Sequence, residues 1–256
     1  MTPVHPPAGA RCVVATVDYR LAPEHPYPAC LNDGAAALRW LSDTSPGGGG
    51  QRFAIETSRI AIGGTSSGGL ISLVTAMGGG GTDEAQPVPP LVFQLLVCPI
   101  VDNTATEASP GWQAGLASPW LTPSRMLWFR RLWLPGWTPA APLEWPASPN
   151  LAPDSALARL PPTWMAIPQR DLLAPEGLEL AGRIRAAGVA VTTVVYEGCP
   201  HPLITLPGRC LHFHGHVCLG VLTYVYSARM AKSRQLYKDA VEALTNAMWG
   251  TQPHTS

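Results

Sequence analysis

The pentapeptide Gly64-Thr65-Ser66-Ser67-Gly68 constrains the fold of this chain more than any other feature. It matches G-x-S-x-G and lies between a short apolar run, residues 59–63, and a helix-like segment, residues 67–77. In that context the serine occupies a sharp, strained turn between a strand and a helix. Glycines at 64 and 68 remove Cβ atoms that would clash across the turn. We therefore predict that Ser66 is a nucleophile exposed above a β-sheet, with a Gly-rich structural turn as the alternative.

The rest of the chain alternates short apolar runs with segments of helical character. Strands are predicted at residues 11–18, 59–63, 91–97, 163–168 and 189–196. Helices are predicted at residues 32–41, 67–77, 124–134, 175–187 and 228–248. Strands and helices in this order predict an α/β fold, with a mostly parallel sheet covered by helices on both faces. The length suits a single domain over residues 1–256.

Two further residues complete a possible catalytic set with Ser66. Asp171 follows the predicted strand 163–168, and His201 follows the predicted strand 189–196. Open α/β sheets build their sites at the carboxyl ends of strands, and α/β-hydrolases order their triads Ser, Asp or Glu, His. Taken singly, Asp171 is better explained as an acidic residue at a helix start, and His201 as a loop histidine held between prolines. The ordered trio favours catalysis, with the backbone N–H of Ser67 donating to an oxyanion.

Charge and cysteine usage exclude several classes of partner. The 17 basic and 17 acidic residues give zero net charge, which lacks the electrostatic footprint of a nucleic-acid binder. No apolar run reaches the roughly 18 residues of a membrane span. The first ten residues hold no apolar core of a secretory signal. Six cysteines without C-x-x-C spacing are typical of reduced thiols, so we expect a cytoplasmic protein.

Residues 103–162 differ from the rest of the chain in composition. They contain six of the nine tryptophans and many prolines. Two interpretations stay open for this segment. The tryptophans either pack beneath long loops, or they form the apolar wall of a pocket or a cap-like region over a ligand site.

Residues 17–29, VDYRLAPEHPYPA, closely resemble the signature loop of the hormone-sensitive-lipase-like carboxylesterases, the α/β-hydrolase fold-3 group. Four more stretches resemble this family in the same order: residues 63–69, 97–102, 171–177 and 196–201. The resemblance implies an α/β-hydrolase fold in which Ser66 is the nucleophile, Asp171 the acid, His201 the base and Ser67 an oxyanion donor. It further implies hydrolysis of carboxylic esters with short or medium acyl chains, without a cofactor or metal.

The chain departs from the family pattern in two places. No His-Gly-Gly-Gly oxyanion motif precedes Asp18, and the first strands of the family sheet have no counterpart. We therefore expect an N-terminally truncated chain, with a gap beside residues 11–18 or new strand pairing there. Residues 209–227 form an atypical insertion, for which a gene-model artefact is one hypothesis. Zinc binding by His212, His214 and His216 is disfavoured, because no further ligand is evident.

Together these features predict a serine carboxylic-ester hydrolase. Its substrate would be a small uncharged ester, attacked through a Ser-His-Asp triad with an acyl-enzyme intermediate. A non-catalytic α/β-hydrolase homologue that binds small molecules is the alternative, as is an inactive fragment. Beyond the small-molecule ester we predict neither a nucleic-acid partner nor a membrane span, and the oligomeric state stays open.

Overall fold

The structure is a computed structural model that describes residues 3–4, 12–79, 88–115, 118–138, 143–201, 216–219 and 231–250. Within these residues seven strands form one sheet in the spatial order β1-β2-β7-β3-β4-β5-β6. The strands are β1 (Pro3–Val4), β2 (Val14–Asp18), β3 (Ile60–Thr65), β4 (Leu91–Val97), β5 (Thr163–Arg170), β6 (Val191–Pro200) and β7 (His216–Leu219). Residues 3–4 and 216–219 are described by their backbone alone.

The strand directions agree with the predicted, mostly parallel sheet. Strands β3 to β6 pair in parallel with one another. Strand β7 is antiparallel to both β2 and β3, so β2 points the same way as β3 to β6. Strand β1 adds an antiparallel edge on β2. Five of the seven described strands therefore end at the same edge of the sheet.

Strand β7 comes from the stretch predicted as an atypical insertion. It lies between β2 and β3, with its pairing to β2 running from Ala15↔Leu219 to Asp18↔His216. Its pairing with β3 is recorded at Gly63↔Cys218. Of the two outcomes expected beside residues 11–18, the structure has the new pairing, and it covers strand edges that would otherwise be open. His212, His214 and the other residues of 209–227 lie outside the described part of the chain.

The described helices are α1 (Ala29–Ser42), α2 (Gly49–Arg52), α3 (Ser67–Ala76), α4 (Pro110–Ala114), α5 (Pro123–Trp133), α6 (Asp154–Leu157), α7 (Ala174–Ala186) and α8 (Ala231–Trp249). Helices α1, α3, α5, α7 and α8 lie close to the predicted ones, whereas the short helices α2, α4 and α6 were not predicted. The glycine run at residues 47–50, whose composition alone predicts a flexible surface turn, is not one, because Gly48 is buried and α2 begins at Gly49. A Cβ on Gly48 would lie 2.2 Å from the carbonyl oxygen of Asp43, so this close approach requires glycine. Among the described helices, none has both the length and the apolar character needed to cross a bilayer.

The core is divided by the two faces of the sheet. Side chains alternate along each strand, so on β3 Ile62 joins one core cluster and its neighbour Ala61 the other. The first cluster includes apolar residues of α1, α3 and α7, and the second includes Leu236, Ala240 and Leu244 of α8. Helices therefore cover both faces, as the sequence predicts.

Replacing a core leucine of α3 should destabilise the fold strongly. Leu73 is 0% exposed within the first core cluster. We expect Leu73→Ala to lower the free energy of unfolding by about 2–5 kcal/mol, measured by urea denaturation, because it leaves a cavity. The matched control is Leu178→Ala in α7, where the side chain is 43% exposed and the change should be below about 1 kcal/mol. Equal losses in both variants would contradict this core.

Candidate active site

Five residues directly follow the five strands that point the same way. Tyr19 follows β2, Ser66 follows β3, Cys98 follows β4, Asp171 follows β5 and His201 follows β6. Because these strands end at one edge of the sheet, the five side chains gather there. Sequence analysis predicted Ser66, Asp171 and His201 and missed Tyr19 and Cys98. The signal that could have found them is their position, the first residue after a predicted strand.

Ser66 has a backbone conformation that residues other than glycine rarely adopt, with φ 56° and ψ −116°. Two hydrogen bonds hold it in place. Its N–H donates to the carbonyl oxygen of Val97 at 2.9 Å, and its own carbonyl accepts from the N–H of Ile100 at 3.2 Å. The end of β4 and the loop after it therefore support the strained turn that the G-x-S-x-G pattern predicts.

Close backbone packing explains the glycine before this turn. A Cβ on Gly64 would lie 2.3 Å from both the carbonyl carbon and the carbonyl oxygen of Gly68. A Cβ on Gly69, the residue after Gly68, would lie 2.8 Å from Cβ of Pro99. The first turn of α3 thus packs directly against the end of β3 and against the loop after β4. This contact requires glycine at position 64.

Asp171, His201 and Ser66 form a continuous chain of hydrogen bonds. Nδ1 of His201 lies 2.7 Å from Oδ2 of Asp171, and Nε2 lies 3.0 Å from Oγ of Ser66. The second carboxylate oxygen of Asp171 accepts from the N–H of Leu173 at 3.1 Å. A proton on Nδ1 suits the carboxylate, which leaves Nε2 free to accept the hydroxyl proton of Ser66. The structure thus brings the three predicted residues into contact.

The surroundings of His201 raise its basicity. Burial by itself lowers the pKa of the imidazole, but the hydrogen bond to the Asp171 carboxylate and the negative charge of that carboxylate outweigh it. The pKa of His201 therefore lies well above its ordinary value of 6.5. The side chain of Asp171 is 0% exposed and that of His201 is 16% exposed, so the imidazole is mostly shielded from solvent.

Cys98 is buried beside His201. Its thiol donates to the carbonyl oxygen of His201 at 3.5 Å, and burial raises the pKa of the thiol, which keeps it protonated. Ligand atoms of Cys98, Asp171 and His201 lie within 4.8 Å of one another, a spacing that could hold a metal ion. Two of these atoms are already joined in the hydrogen bond between Asp171 and His201. The absence of a metal or cofactor stays a prediction.

Ser67, the predicted oxyanion donor, is the first residue of α3. The first N–H groups of a helix have no acceptor within the helix, and the helix dipole favours negative charge beside them. The hydroxyl of Ser67 lies 2.9 Å from the hydroxyl of Tyr19, whose side chain is almost fully buried. The N–H of Ser67 therefore suits the role of oxyanion donor, which stays a prediction.

A cavity of about 560 Å³ opens onto this set of residues. Besides Ser66, Ser67 and His201, its wall is mainly apolar and includes Leu70, Ile71, Ile100, Leu121, Met126 and Phe129. The tryptophans of residues 103–162 differ in their surroundings, and the role of this segment as a pocket wall or cap stays a prediction. Trp120 and Trp133 line the cavity. Trp112, in contrast, is fully buried in a separate small cluster with Leu172.

A buried carboxyl group ties the loop after β4 to the helix that follows Asp171. Glu176, in the first turn of α7, accepts from the N–H groups of Val101 at 3.3 Å and Asp102 at 3.2 Å. The indole of Trp112 donates to its other oxygen at 3.5 Å. Burial raises the pKa of Glu176 to about 8. This residue fixes the elements that carry the site and does not contact Ser66.

An α/β sheet with a strained serine at the end of a central strand, hydrogen-bonded to a histidine and an aspartate, defines the hydrolase class of this architecture. Comparison with known families agrees, since a family model described as the alpha/beta hydrolase fold matches residues 7–205. The chain belongs to this family. The predicted resemblance to the hormone-sensitive-lipase-like carboxylesterases is thereby confirmed, whereas the truncation stays a prediction.

Three relatives illustrate the similarity. An AB hydrolase superfamily protein of Schizosaccharomyces pombe is 36% identical over 241 residues, which cover 93% of this chain and 62% of the relative. Carboxylesterase NlhH of Mycobacterium tuberculosis is 39% identical over 186 residues, or 72% of this chain and 54% of the relative. The structure of a bacterial heroin esterase aligns with a TM-score of 0.71 at 26% identity, covering 90% and 63% of the two chains. The chain thus spans less than two thirds of these relatives.

The close contact at Gly64 should not tolerate a methyl group. We expect Gly64→Ala to lower the free energy of unfolding by about 1–3 kcal/mol in urea denaturation, because its Cβ would overlap the backbone of Gly68. The matched control is Gly182→Ala in α7, where a Cβ meets nothing within 4 Å. That change should stabilise the helix by about 0.5–1 kcal/mol. A Gly64→Ala variant as stable as the control would contradict the packing of α3 on β3.

Proposed function

We propose that this chain is a serine carboxylic-ester hydrolase that acts on a small uncharged ester with a short or medium acyl chain. The observation that carries the proposal is the hydrogen-bond chain from Asp171 through His201 to Ser66. A nucleophile, its base and the group that orients the base are each within hydrogen-bonding distance of the next. The names of the similar proteins, carboxylesterase and esterase, support the same chemistry.

In the first half of the reaction the ester acylates Ser66. The Ser66 oxygen attacks the carbonyl carbon while Nε2 of His201 takes the hydroxyl proton. The carbonyl oxygen becomes an oxyanion that accepts from the N–H of Ser67. The bond to the alcohol oxygen then breaks, and His201 returns its proton to that oxygen. Asp171 holds the imidazole in the required tautomer and stabilises its cation, without taking the proton itself.

In the second half water releases the acid. His201 removes a proton from the water molecule, whose oxygen attacks the acyl carbon and forms a second oxyanion beside Ser67. The bond to Ser66 then breaks, and His201 gives the proton to the Ser66 oxygen. The products are one carboxylic acid and one alcohol, and the enzyme returns to its starting protonation state. None of these steps requires a cofactor.

The cavity supports the predicted kind of substrate. Its volume of about 560 Å³ lies within the range of roughly 300–1,000 Å³ common for small-molecule sites. Its mainly apolar wall favours an uncharged acyl or alcohol group, because burying an unpaired charge is costly. Three arginines also line the cavity, but Arg20 pairs with Asp33, and Arg125 and Arg130 donate to backbone carbonyl groups. If the chain is instead a non-catalytic binding protein or an inactive fragment, it should not hydrolyse esters. A cytoplasmic location stays a prediction as well.

Removing the Ser66 hydroxyl should abolish the activity. We expect the wild-type chain to hydrolyse p-nitrophenyl acetate and butyrate faster than the palmitate ester. We expect Ser66→Ala to lower kcat by at least about 1,000-fold, because the acyl-enzyme cannot form. Release of p-nitrophenol measures turnover, and a fluorophosphonate probe followed by mass spectrometry reports covalent labelling of Ser66.

Ser58→Ala is the matched control for this experiment. Ser58 is exposed and its hydroxyl bonds the carboxylate of Glu56, so its loss should change neither turnover nor labelling. Both variants are first compared by thermal unfolding. A folded wild-type chain that hydrolyses none of the three esters contradicts the proposal. So does labelling that persists in Ser66→Ala.

The pH dependence should report the raised pKa of His201. The imidazole must be uncharged to accept a proton, so activity falls as the pH drops below this pKa. We expect the acid limb of kcat/KM to have its midpoint above 6.5, the ordinary value for histidine. Asp171→Asn removes the partner carboxylate and should lower that midpoint, while reducing kcat by about 10,000-fold. The rate of fluorophosphonate labelling between pH 5 and 9 follows the same limb when turnover is slow.

Asp154→Asn is the control for charge alone. Asp154 is exposed and pairs with Arg183, away from the site. This variant should leave the acid limb and kcat unchanged. An acid limb that stays in the same place in Asp171→Asn would show that the group controlling it is not the His201 imidazole paired with Asp171.

A further inference from the structure

Tyr19, like Cys98, lies at the strand-end edge and is not used by the proposed mechanism. It directly follows β2, and its ring belongs to the first core cluster with an exposure of 6%. Its hydroxyl lies 2.9 Å from the hydroxyl of Ser67, and both residues line the cavity with Ser66 and His201. The bond joins residues 48 positions apart, so it connects β2 to the first turn of α3.

The position of Ser67 matters for the proposed reaction, because its backbone N–H is the oxyanion donor that the G-x-S-x-G turn offers next to Ser66. Among the residues that the structure describes, no His-Gly-Gly-Gly segment supplies a further donor. Ser67 itself is exposed to the cavity, and Ser66 beside it has a strained backbone with φ 56°. The strength of such a donor depends on its distance and direction to the oxyanion. A hydrogen bond that holds the side chain of Ser67 in place should therefore affect the rate of the proposed reaction.

We propose that Tyr19 is a positioning residue whose hydroxyl holds Ser67 so that the Ser67 N–H points at the oxyanion. This inference rests on the proposed esterase function. A buried ring presents its hydroxyl in one place, whereas the side chain of Ser67 would otherwise rotate in the open cavity. Burial raises the pKa of Tyr19 to about 12, so the phenol remains protonated at the pH of catalysis.

The bond can be removed from either side. Tyr19→Phe keeps the buried ring and loses its hydroxyl, and Ser67→Ala keeps the backbone N–H and loses the anchor. We expect each variant to lower kcat by about 10-fold with KM unchanged, because the oxyanion exists only in the transition state. The double variant should be no slower than either single one, since both changes remove the same bond.

A trifluoromethyl ketone of matching chain length gives a readout specific to the oxyanion. Ser66 adds to its carbonyl carbon, His201 takes the Ser66 proton, and the carbonyl oxygen becomes an oxyanion in a stable tetrahedral adduct. Its inhibition constant should rise by the same factor as kcat falls in Tyr19→Phe and in Ser67→Ala. A role in packing alone would lower the melting temperature without this proportional change.

The matched control is Tyr196→Phe. Tyr196 is also buried, and its hydroxyl bonds the carboxylate of Asp239 at 2.8 Å within the second core cluster, on the opposite face of the sheet. Its loss should leave kcat and the inhibition constant unchanged, even if the melting temperature falls.

The outcomes separate the two proposals. An active wild-type chain whose Tyr19→Phe and Ser67→Ala variants keep full kcat overturns the role of Tyr19 alone. A loss of kcat without a matching loss of ketone affinity overturns it too. If Tyr19→Phe does not fold, Ser67→Ala decides the question by the same two measurements. A folded wild-type chain that neither hydrolyses esters nor binds the ketone overturns the proposed function, and this inference with it.

Discussion

The backbone of Ser66 is held at a positive φ by two hydrogen bonds, one to the last residue of β4 and one to the loop after it, and the geometry of the site depends on them. The bonds to Val97 and Ile100 stabilise a conformation that would otherwise be costly. The same loop carries Cys98, whose thiol contacts the carbonyl of His201. One short segment therefore fixes Ser66, the proposed nucleophile, through its backbone and contacts His201, the proposed base.

The sheet explains why such distant residues meet. Ser66, Asp171 and His201 span 135 positions of the chain, yet each is the first residue after a strand that points the same way. Neighbouring strands lie about 4.8 Å apart, so the ends of β3 to β6 bring these side chains within hydrogen-bonding reach without long loops. The strand ends thus bring the three side chains together, and hydrogen bonds from the loops fix their final positions.

The residues of the site differ in how well the sequence predicts them. Ser66, Asp171 and His201 were predictable because a motif, a chain order and strand ends all agree on them. Tyr19 and Cys98 share the strand-end position, but their roles depend on contacts across the sheet, which no local pattern encodes. The burial of Gly48 was missed for the same reason, since it follows from a close approach to the backbone of Asp43.

Strand β7 shows how a segment without a family counterpart bears on the site. Residues 209–227 were expected to be an atypical insertion, yet four of them form the strand between β2 and β3. Among the described strands, β2 is joined to the parallel strands through β7, so the pairing of β7 with both neighbours helps to set where β2 ends. Tyr19 follows that end, and its hydroxyl lies 2.9 Å from the hydroxyl of Ser67. If Tyr19 has the positioning role proposed above, the segment that departs most from the family pattern would help to position the proposed oxyanion donor.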